Sequence, residues 1–310
     1  MKKIKIVFMG TPEFSVPTLE LLNENCDVSL VVTQPDRVNR RGNKVTFNPV
    51  KEYSIENKIE VYQPENVNII EAVDKIKSHN PDYIVVVAYG QIIKKDILEI
   101  PKRNIVNVHA SLLPKYRGAA PIHRAIMDRE EKMGISIMKV GPGLDKGEVY
   151  LTKETEISNK KLPELHDELS ILGGELLLRY ILEDFEKEIE GKPQDDSLAT
   201  YAEKVNREDG YLDFQNVNKE IGKINGLYPR PGASINYFGE RVKVLDGEVF
   251  SFERDPSKEI SEILNVDERG IFVNCKDGIL LIKEIQFPGK KPMIVEDYLK
   301  GNSINITKLR

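Results

Sequence analysis

The chain has no tryptophan, two cysteines and four histidines among its 310 residues. Cys26 and Cys275 are far apart and neither lies in a metal-ligand pattern, so we expect no disulfide framework and no zinc or other metal site. No apolar run approaches the roughly 20 residues that a membrane-spanning helix needs. The short apolar start stops at Gly10 without a cleavage-like site. These absences argue against secreted and membrane-bound classes, and we expect a cytoplasmic protein.

Glycine-rich phosphate motifs are also missing. The first predicted strand runs into Met9-Gly10-Thr11-Pro12-Glu13-Phe14, which contains no G-x-G-x-x-G, and no G-x-x-x-x-G-K-[ST] occurs elsewhere. Pro12 and Phe14 stand where close backbone approach to a pyrophosphate requires glycine. Binding of a dinucleotide at the first turn is therefore not supported.

The charge of the chain is unevenly distributed. Hydrophobic residues make up 40% and charged residues 31%, a globular balance, and the net charge of -5 by itself argues against a nucleic-acid partner. Residues 36–51, however, carry five basic residues against one acidic residue, and residues 283–310 carry six against three. Basic loops are commonly just solvated surface, so charge permits a polyanionic partner without identifying one.

The first half of the chain alternates apolar, β-branched runs with amphipathic stretches. KIKIVFMG, DVSLVVTQ, IEVYQP, YIVVVAYG, NIVNVHA and ISIMKV read as strands, and VPTLELLNEN, NIIEAVDKIKSHN and AAPIHRAIMDRE as helices. Such alternation predicts an α/β fold with a doubly wound, mostly parallel, Rossmann-like sheet. A long amphipathic stretch from Leu162 to about Ile189 completes this first domain, which we place at residues 1–190.

A different pattern follows a polar stretch. Residues 191–206 contain Gly191 and Pro193 and read as an interdomain linker. Beyond them, RVKVLDGEVF, GIFVNCKDG and ILLIKEIQF are short, alternating runs separated by turn residues. We therefore predict a smaller antiparallel β-barrel (OB-like) domain over residues 207–310.

A candidate set for chemistry lies at strand ends. Asn107 and His109 are two residues apart in a predicted strand, so their side chains leave the same face. An amide donor beside an imidazole suits oxyanion stabilisation and proton transfer. Asp145 lies in the glycine-rich loop GPGLDKGE and could orient the imidazole, although an ordinary turn aspartate has the same spacing. The pattern alone is weak.

The segments around these residues resemble a known family. NVHASLLPKYRGAAPIHRAI followed by GISIMKVGPGLDKGE is similar to the catalytic core of the 10-formyltetrahydrofolate-dependent formyltransferases. The resemblance implies catalytic roles for Asn107, His109 and Asp145, and 10-formyltetrahydrofolate as co-substrate without a metal. It also implies that the folate is bound by two strand-end segments and by the loop before Asp145, which together comprise Ala88, Tyr89, Gly90, Gln91, Ile92, Ile93, Ser111, Leu112, Leu113, Pro114, Gly143 and Leu144.

Further blocks, in the same order and over nearly the whole chain, resemble the branch of this family that formylates methionine carried on initiator tRNA. They include FMGTPEFSVPTLE, VVTQPDRVNRRGNKVTFNPVK, INGLYPRPGA and FPGKKPMIVEDYLKG. The resemblance implies a role in translation initiation, with initiator methionyl-tRNA as partner, and we expect a monomer. The residues it implies for tRNA binding are Arg37, Arg40, Arg41, Lys44, Lys204, Arg230, Lys290 and Lys291.

Three departures and two alternatives accompany this interpretation. Gly141-Pro142, Met133 and Arg230 differ from the residues usual in the family, and none of them belongs to the Asn/His/Asp set. One alternative is a formyltransferase acting on an amino-sugar nucleotide, which has no need of the basic residues 36–51. The other is a non-catalytic RNA-binding protein on the same scaffold, against which the intact catalytic set argues.

Overall fold

The computed structural model describes residues 3–38, 45–305 and 307–309. Its chain divides into two compact units, which are discontinuous in sequence. Unit 1 comprises Met1–Gly118, Met133–Thr155 and His166–Tyr201, and unit 2 comprises Ala119–Lys132, Glu156–Leu165 and Ala202–Arg310. Two short segments of the predicted first domain thus group with the C-terminal part, whereas the predicted domains are contiguous in sequence. The domain boundaries stay a prediction. None of the described helices has the length and apolarity needed to cross a membrane.

The first two hundred residues alternate strands and helices. The strands are β1 (Lys5–Gly10), β2 (Asp27–Val32), β3 (Arg37–Val38), β4 (Val45–Thr46), β5 (Val61–Tyr62), β6 (Tyr83–Val87), β7 (Ile105–His109), β8 (Arg117–Gly118), β9 (Lys132–Lys139), β10 (Val149–Glu156) and β11 (Tyr201–Ala202). The helices are α1 (Val16–Asn25), α2 (Pro49–Glu56), α3 (Ile70–Ser78), α4 (Lys95–Leu98), α5 (Pro121–Met127) and α6 (Leu162–Glu186). Short 3-10 turns occur at Glu13–Ser15, Asp196–Leu198 and Glu208–Gly210.

One sheet organises unit 1, with strand order β10-β9-β7-β6-β1-β2-β5. Strands β5, β2, β1, β6 and β7 run parallel to their neighbours, and β9 is antiparallel to β7. Every residue of β6 is buried, as its unbroken YIVVV run predicts for a strand covered on both faces. The predicted doubly wound, mostly parallel sheet is confirmed, and the carboxyl ends of its parallel strands form the edge where ligands bind in such sheets.

The predicted basic loop 36–51 contains regular structure at both ends. β3 pairs with β4 in an antiparallel arrangement, and α2 begins at Pro49. The side chain of Asn48 accepts a hydrogen bond from the backbone N–H of Lys51, so Asn48 caps this helix and Pro49 occupies its first turn. The expectation of a loop through residue 51 was therefore wrong at its C-terminal end, because these two start signals outweigh the polar composition.

Unit 2 is built on an antiparallel sheet, as predicted. Its strands are β12 (Ala233–Tyr237), β13 (Glu240–Ser251), β14 (Ile263–Asp267), β15 (Gly270–Cys275), β16 (Gly278–Gln286) and β17 (Met293–Ile294), and its helices include α7 (Val217–Gly226) and α8 (Val295–Leu299). The strand order is β12-β13-β16-β15-β14, with β17 on β16. Residues from α7 and from alternate strand positions, such as Ile221, Val244 and Ile282, form its apolar core.

A carboxyl group is buried in this core. Glu220, on α7, is fully buried and accepts hydrogen bonds from the backbone N–H groups of Asp213 and Phe214 at 3.1 and 2.6 Å. Lys223 Nζ lies 3.2 Å from Glu220 Oε2. Burial raises the pKa of Glu220 from its ordinary value of 4.5 to about 7, and the positive charge of Lys223 offsets this in part.

This shift predicts a pH-dependent stability of unit 2. Because the folded state holds the Glu220 proton more tightly than the unfolded state, the contribution is complete below about pH 4.5 and is lost as pH rises through about 7. The full loss is about 3 kcal/mol. Because Glu220→Gln cannot ionise at this position, we expect the free energy of unfolding of this variant to lack the fall between about pH 4.5 and 7. Urea unfolding of both proteins from pH 5 to 8 checks it; a constant stability difference across that range would contradict it.

Candidate active site

Strand β7 presents the two side chains that the sequence singled out. Asn107 and His109 lie two residues apart on β7, near its carboxyl end, with Asn107 half-buried and His109 buried. β7 pairs with β9 so that Asn107 lies opposite Met138 and His109 opposite Ser136. No hydrogen bond from a described residue engages the Asn107 side-chain amide. This amide is therefore available to a ligand.

The hydrogen bonds of His109 define its proton positions. Its Nε2 lies 2.9 Å from the backbone carbonyl oxygen of Tyr116, which can only accept, so Nε2 carries a proton. In the neutral ring the lone pair is then on Nδ1, which lies 3.8 Å from Asp145 Oδ2. That separation is too long for a hydrogen bond, so Nδ1 is free to accept a proton. The carboxylate beside it would stabilise the resulting imidazolium.

The loop between β9 and β10 carries Asp145 in a defined backbone conformation. Asp145 has a φ of 51°, and its Oδ2 accepts a hydrogen bond from the backbone N–H of Gly118 at 2.8 Å. At the base of the loop, Gly147 packs so closely against Lys139 that a Cβ there would lie 1.8 Å from the Lys139 carbonyl oxygen. The glycine is thus required by close approach, and the loop geometry, not an ordinary surface turn, orients Asp145 toward His109.

Ser136, which was not among the predicted site residues, holds the predicted folate segment 111–114 in place through two hydrogen bonds. Its hydroxyl donates to the carbonyl oxygen of Ser111 at 2.7 Å and accepts from the backbone N–H of Leu113 at 3.1 Å. Ser111 is itself buried, and its hydroxyl donates to Lys115 O at 2.6 Å. The segment exposes part of Leu112, Leu113 and Pro114. These three residues, and not the Ser111 hydroxyl, are therefore accessible to a ligand. A buried serine in an otherwise apolar strand was the available signal.

The predicted folate segment 88–93 divides into outward and inward residues. Tyr89 is buried in the core beneath the sheet, and its carbonyl oxygen accepts from Thr11 Oγ1 at 3.2 Å and Gln34 Nε2 at 3.0 Å. Gln91 accepts from the backbone N–H of Val67 at 2.8 Å, and Ile93 packs against the same core. The side chains of Tyr89, Gln91 and Ile93 are thus packed or hydrogen-bonded within the chain, whereas Ala88, Gly90 and Ile92 are exposed. Folate binding along this segment stays a prediction.

The N-terminal basic residues lie mostly outside the described part of the chain. Arg40, Arg41 and Lys44 are outside it, and of Arg37 only the backbone, in β3, is described. Lys51 forms an ion pair with Asp36 and lies over the Phe47 ring, 3.9 Å from its centroid. Its charge is thus neutralised within the chain, and it does not contribute to a free basic surface.

The basic C-terminal stretch is largely neutralised as well. Three of its lysines pair with carboxylates, namely Lys283 with Glu248, Lys300 with Asp297 and Lys308 with Glu259. Lys290 and Lys291 are exposed, and none of the described residues forms an ion pair with either. Charge counting along residues 283–310 therefore overestimated the free positive charge of this segment.

A basic cluster in unit 2 was missed by sequence reasoning. Lys243 lies near Arg207, Arg241 and the exposed Arg230, and we call these four residues the unit 2 basic cluster. Arg241 and Lys243 are two positions apart on β13 and so share a face. Burial and the surrounding cations lower the pKa of Lys243. The cluster joins residues more than thirty positions apart, which is why no local run revealed it. Lys204 is also exposed.

The two cysteines are not among the residues that form the candidate site. Cys26 and Cys275 are free and buried, and burial raises the pKa of the Cys26 thiol to about 11. Among residues 3–38, 45–305 and 307–309, no three His, Cys, Asp or Glu side chains are grouped so that they could hold a metal ion.

Comparison with known proteins identifies the family of the chain. Two family models match the chain: "Formyl transferase" over residues 2–181 and "Formyl transferase, C-terminal domain" over residues 204–303. The chain is similar to the methionyl-tRNA formyltransferase of Clostridium novyi, with 46% identity over 98% of both chains. It is also similar to that of Clostridioides difficile, with 44% identity over 97% of this chain and 98% of the relative.

Solved structures share the fold at low identity. The sugar 3N-formyl transferase WlaRD, solved in the presence of dTDP and 5-N-formyl-THF, matches 94% of this chain and 100% of its own with a TM-score of 0.67 and 16% identity. The methionyl-tRNA formyltransferase of Clostridium thermocellum matches 79% of this chain and 93% of its own with a TM-score of 0.53 and 18% identity. At these identities the likeness concerns the fold alone.

Proposed function

Because the chain belongs to the formyltransferase family in both its N-terminal and its C-terminal part, we propose that it transfers the formyl group of 10-formyltetrahydrofolate to the free amino group of methionine on initiator methionyl-tRNA, in translation initiation. The observation that carries the proposal is the geometry at the end of β7, where the Asn107 amide, unbonded by any described residue, lies beside a His109 imidazole that faces Asp145. Full-length identity of 42–46% to methionyl-tRNA formyltransferases supports the choice of acceptor.

His109 is the group that handles the proton in this proposal. The methionine amine attacks as a neutral nucleophile and loses a proton, directly or through water. The bond between the formyl carbon and N10 of the folate then breaks, and N10 takes up a proton so that tetrahydrofolate leaves as a neutral amine. Nδ1 of His109 holds the lone pair that can accept the proton of the methionine amine, because Nε2 is committed to the Tyr116 carbonyl oxygen. Asp145, 3.8 Å away, then stabilises the positive imidazolium.

Asn107 is the group that stabilises negative charge. As the amine adds, charge develops on the formyl oxygen, and a side-chain amide aimed at that oxygen donates a hydrogen bond in the transition state. One such donor is typically worth about 3–4 kcal/mol. The lack of a protein partner for this amide among the described residues fits the role, since a donor already engaged would have to break a bond first.

The folate is proposed to lie against the outward-facing residues around these groups. Ala88, Gly90 and Ile92 are exposed at the end of β6, and Gly143 and Leu144 are exposed in the Asp145 loop. Leu112, Leu113 and Pro114 add partly exposed apolar surface. The planar rings of the folate can pack on apolar surface of this kind, and the polar edge of the pterin then requires a few hydrogen-bonding groups that set its direction.

The two alternatives have less support. Solved sugar N-formyltransferases resemble the chain in fold only. The relatives at 42–46% identity, which match it over nearly its full length, are methionyl-tRNA formyltransferases. A non-catalytic RNA-binding protein would have no use for an unengaged Asn107 and a proton-accepting His109.

A direct assay tests the proposed function. The protein is incubated with 10-formyltetrahydrofolate and, in parallel, with methionyl initiator tRNA, the same tRNA uncharged, and an amino-sugar nucleotide. Formyl-methionine after hydrolysis of the charged tRNA is the expected product. Formylation of the sugar instead would support the first alternative, and tight tRNA binding without any formyl product would support the second.

The basic residues that lie outside the described part of the chain give a separate prediction. Arg40→Ala with Arg41→Ala should weaken methionyl-tRNA binding and lower the slope of log affinity against log salt by roughly one unit for each phosphate that is no longer neutralised. Binding of the folate should be unchanged. Filter binding over a salt series measures both, and an unaltered slope would show that this segment does not contact RNA.

We also propose that the chain acts as a monomer in the cytoplasm. A tRNA acceptor that serves translation initiation supports a cytoplasmic location. Light scattering during size-exclusion chromatography tests the monomer, and a mass near twice 35.3 kDa would overturn it.

A further inference from the structure

Gln194 clamps the loop that carries Asp145. Its side-chain Nε2 donates hydrogen bonds to the backbone carbonyl oxygens of Asp145 at 2.8 Å and of Gly147 at 2.7 Å. The two hydrogen bonds use both protons of the amide and hold the loop at Asp145 and at Gly147. Gln194 lies in the stretch 191–206, which the sequence suggested was a linker, and about fifty positions after the loop that it binds.

A buried arginine fixes which way this amide points. Arg117 is fully buried, and its Nε and Nη2 donate to Gln194 Oε1 at 3.1 and 2.8 Å. Since a guanidinium can only donate, the oxygen of Gln194 must face Arg117 and the amide nitrogen must face the loop. Arg117 Nη1 lies 2.8 Å from Asp196 Oδ1, and the hydrogen bond from Arg117 and the charge of Lys146 hold the pKa of Asp196 below its ordinary value.

The segment that contains Gln194 also holds Tyr116, whose carbonyl oxygen is hydrogen-bonded to His109. Thr200 Oγ1 accepts a hydrogen bond from the backbone N–H of Tyr116 at 2.9 Å, and Thr200 O accepts from the N–H of Arg117 at 2.9 Å. The carbonyl oxygen of Tyr116 is the group that receives the His109 Nε2 proton. Residues 194–200 therefore contact the backbone on both sides of the His109–Asp145 pair.

We propose that Gln194, oriented by Arg117, is a positioning residue that sets the place of the Asp145 carboxylate relative to His109 Nδ1, and that residues 194–200 are part of the active site. The inference rests on the proposed function for its kinetic consequence. Its structural part, the bracing of the loop, stands independently of which substrate is formylated. Displacement of a catalytic group by about 1 Å can reduce a rate on the order of a hundredfold.

Gln194→Glu is the most selective variant. It keeps the oxygen that accepts from Arg117, but it replaces the donor to Asp145 and Gly147 by an oxygen that repels both carbonyls. We expect the single-turnover formylation rate to fall about tenfold to a hundredfold. The matched control is Gln215→Glu, an exposed glutamine of unit 2 whose Nε2 lies 3.4 Å from Asp213 O, and its rate should stay within about twofold of the parent.

A double variant separates positioning from a general loss of structure. Gln194→Ala removes the donors without adding charge, and we expect it to slow the parent on the order of tenfold or more but to change the Asp145→Asn variant by less than about twofold, since residues acting as a unit are not additive. An equal loss in both backgrounds would show that Gln194 does not act through Asp145 and would overturn the proposal.

Amide hydrogen exchange of the loop gives a readout that does not depend on activity. Peptides covering residues 141–147 should exchange faster in both Gln194 variants than in the parent and in Gln215→Glu. Unchanged exchange in this loop would overturn the proposal. Exchange could also rise in the Gln194 variants while the parent protein formylates no tRNA. That result would support the bracing of the loop and overturn the proposed function, so the two failures are distinguishable.

Discussion

His109→Ala and Asp145→Asn are each expected to lower the single-turnover rate of formyl transfer to methionyl-tRNA by at least about a hundredfold. The first change removes the Nδ1 lone pair that accepts the proton. His109 is the one histidine of β7, so the strand offers no substitute. The second leaves the shape of residue 145 intact but removes the negative charge that lies 3.8 Å from Nδ1. Rapid quench with preformed enzyme–folate complex measures chemistry rather than product release.

A second histidine–aspartate pair provides the matched control. His166 Nδ1 lies 2.9 Å from Asp167 Oδ1 on α6; Asp167 is exposed, and the partly buried His166 ring packs against Phe14. His166→Ala and Asp167→Asn should leave the rate within about twofold of the parent, because neither residue belongs to the proposed catalytic set. The double variant of His109 and Asp145 should be little slower than the slower single variant. A single-turnover rate near the parent value in either single variant would remove that residue from the catalytic set.

The sequence was informative where a local pattern sufficed. An unbroken apolar run predicted β6 as a fully buried strand, and the spacing of Asn107 and His109 placed both on one face of β7. Asp145 was selected through family resemblance, because its spacing alone also suits a surface turn. Its backbone conformation, with φ at 51°, and its bond from Gly118 could not be read from composition.

The sequence was uninformative where contacts join distant positions. Residues 191–206 were interpreted as a linker because they are polar and contain Gly191 and Pro193. Gln194, however, accepts a hydrogen bond from Arg117, 77 positions earlier. Polar side chains that satisfy a buried partner look the same in sequence as solvated ones. Tyr89 shows the converse, since a residue in a predicted ligand-binding segment is committed to the core. Long-range polar pairing is therefore the part of this site that only the structure supplies.

The unit 2 basic cluster gives the second large expected effect. Arg207 and Arg230 are exposed, and no carboxylate of a described residue forms an ion pair with either, so both keep full charge for a polyanionic partner. The neighbouring Arg241 is held by Ser234 Oγ at 2.9 Å and by Arg207 O at 2.8 Å, which makes it less suitable for substitution. On a chain of net charge -5, a local concentration of cations is what can attract the phosphate backbone.

Arg207→Ala with Arg230→Ala should weaken methionyl-tRNA binding at least about tenfold near physiological salt and lower the salt slope by up to about two units. The control removes the same formal charge through Lys258→Ala with Lys308→Ala, two cations already paired with Glu262 and Glu259. Because a carboxylate already neutralises each, this control should change neither affinity nor slope. Folate affinity should be equal in both variants, since the effect is confined to the binding of phosphates. If the control weakens binding as much as the cluster variant, net charge rather than the cluster attracts the tRNA, and the assignment of Arg230 to RNA binding is wrong.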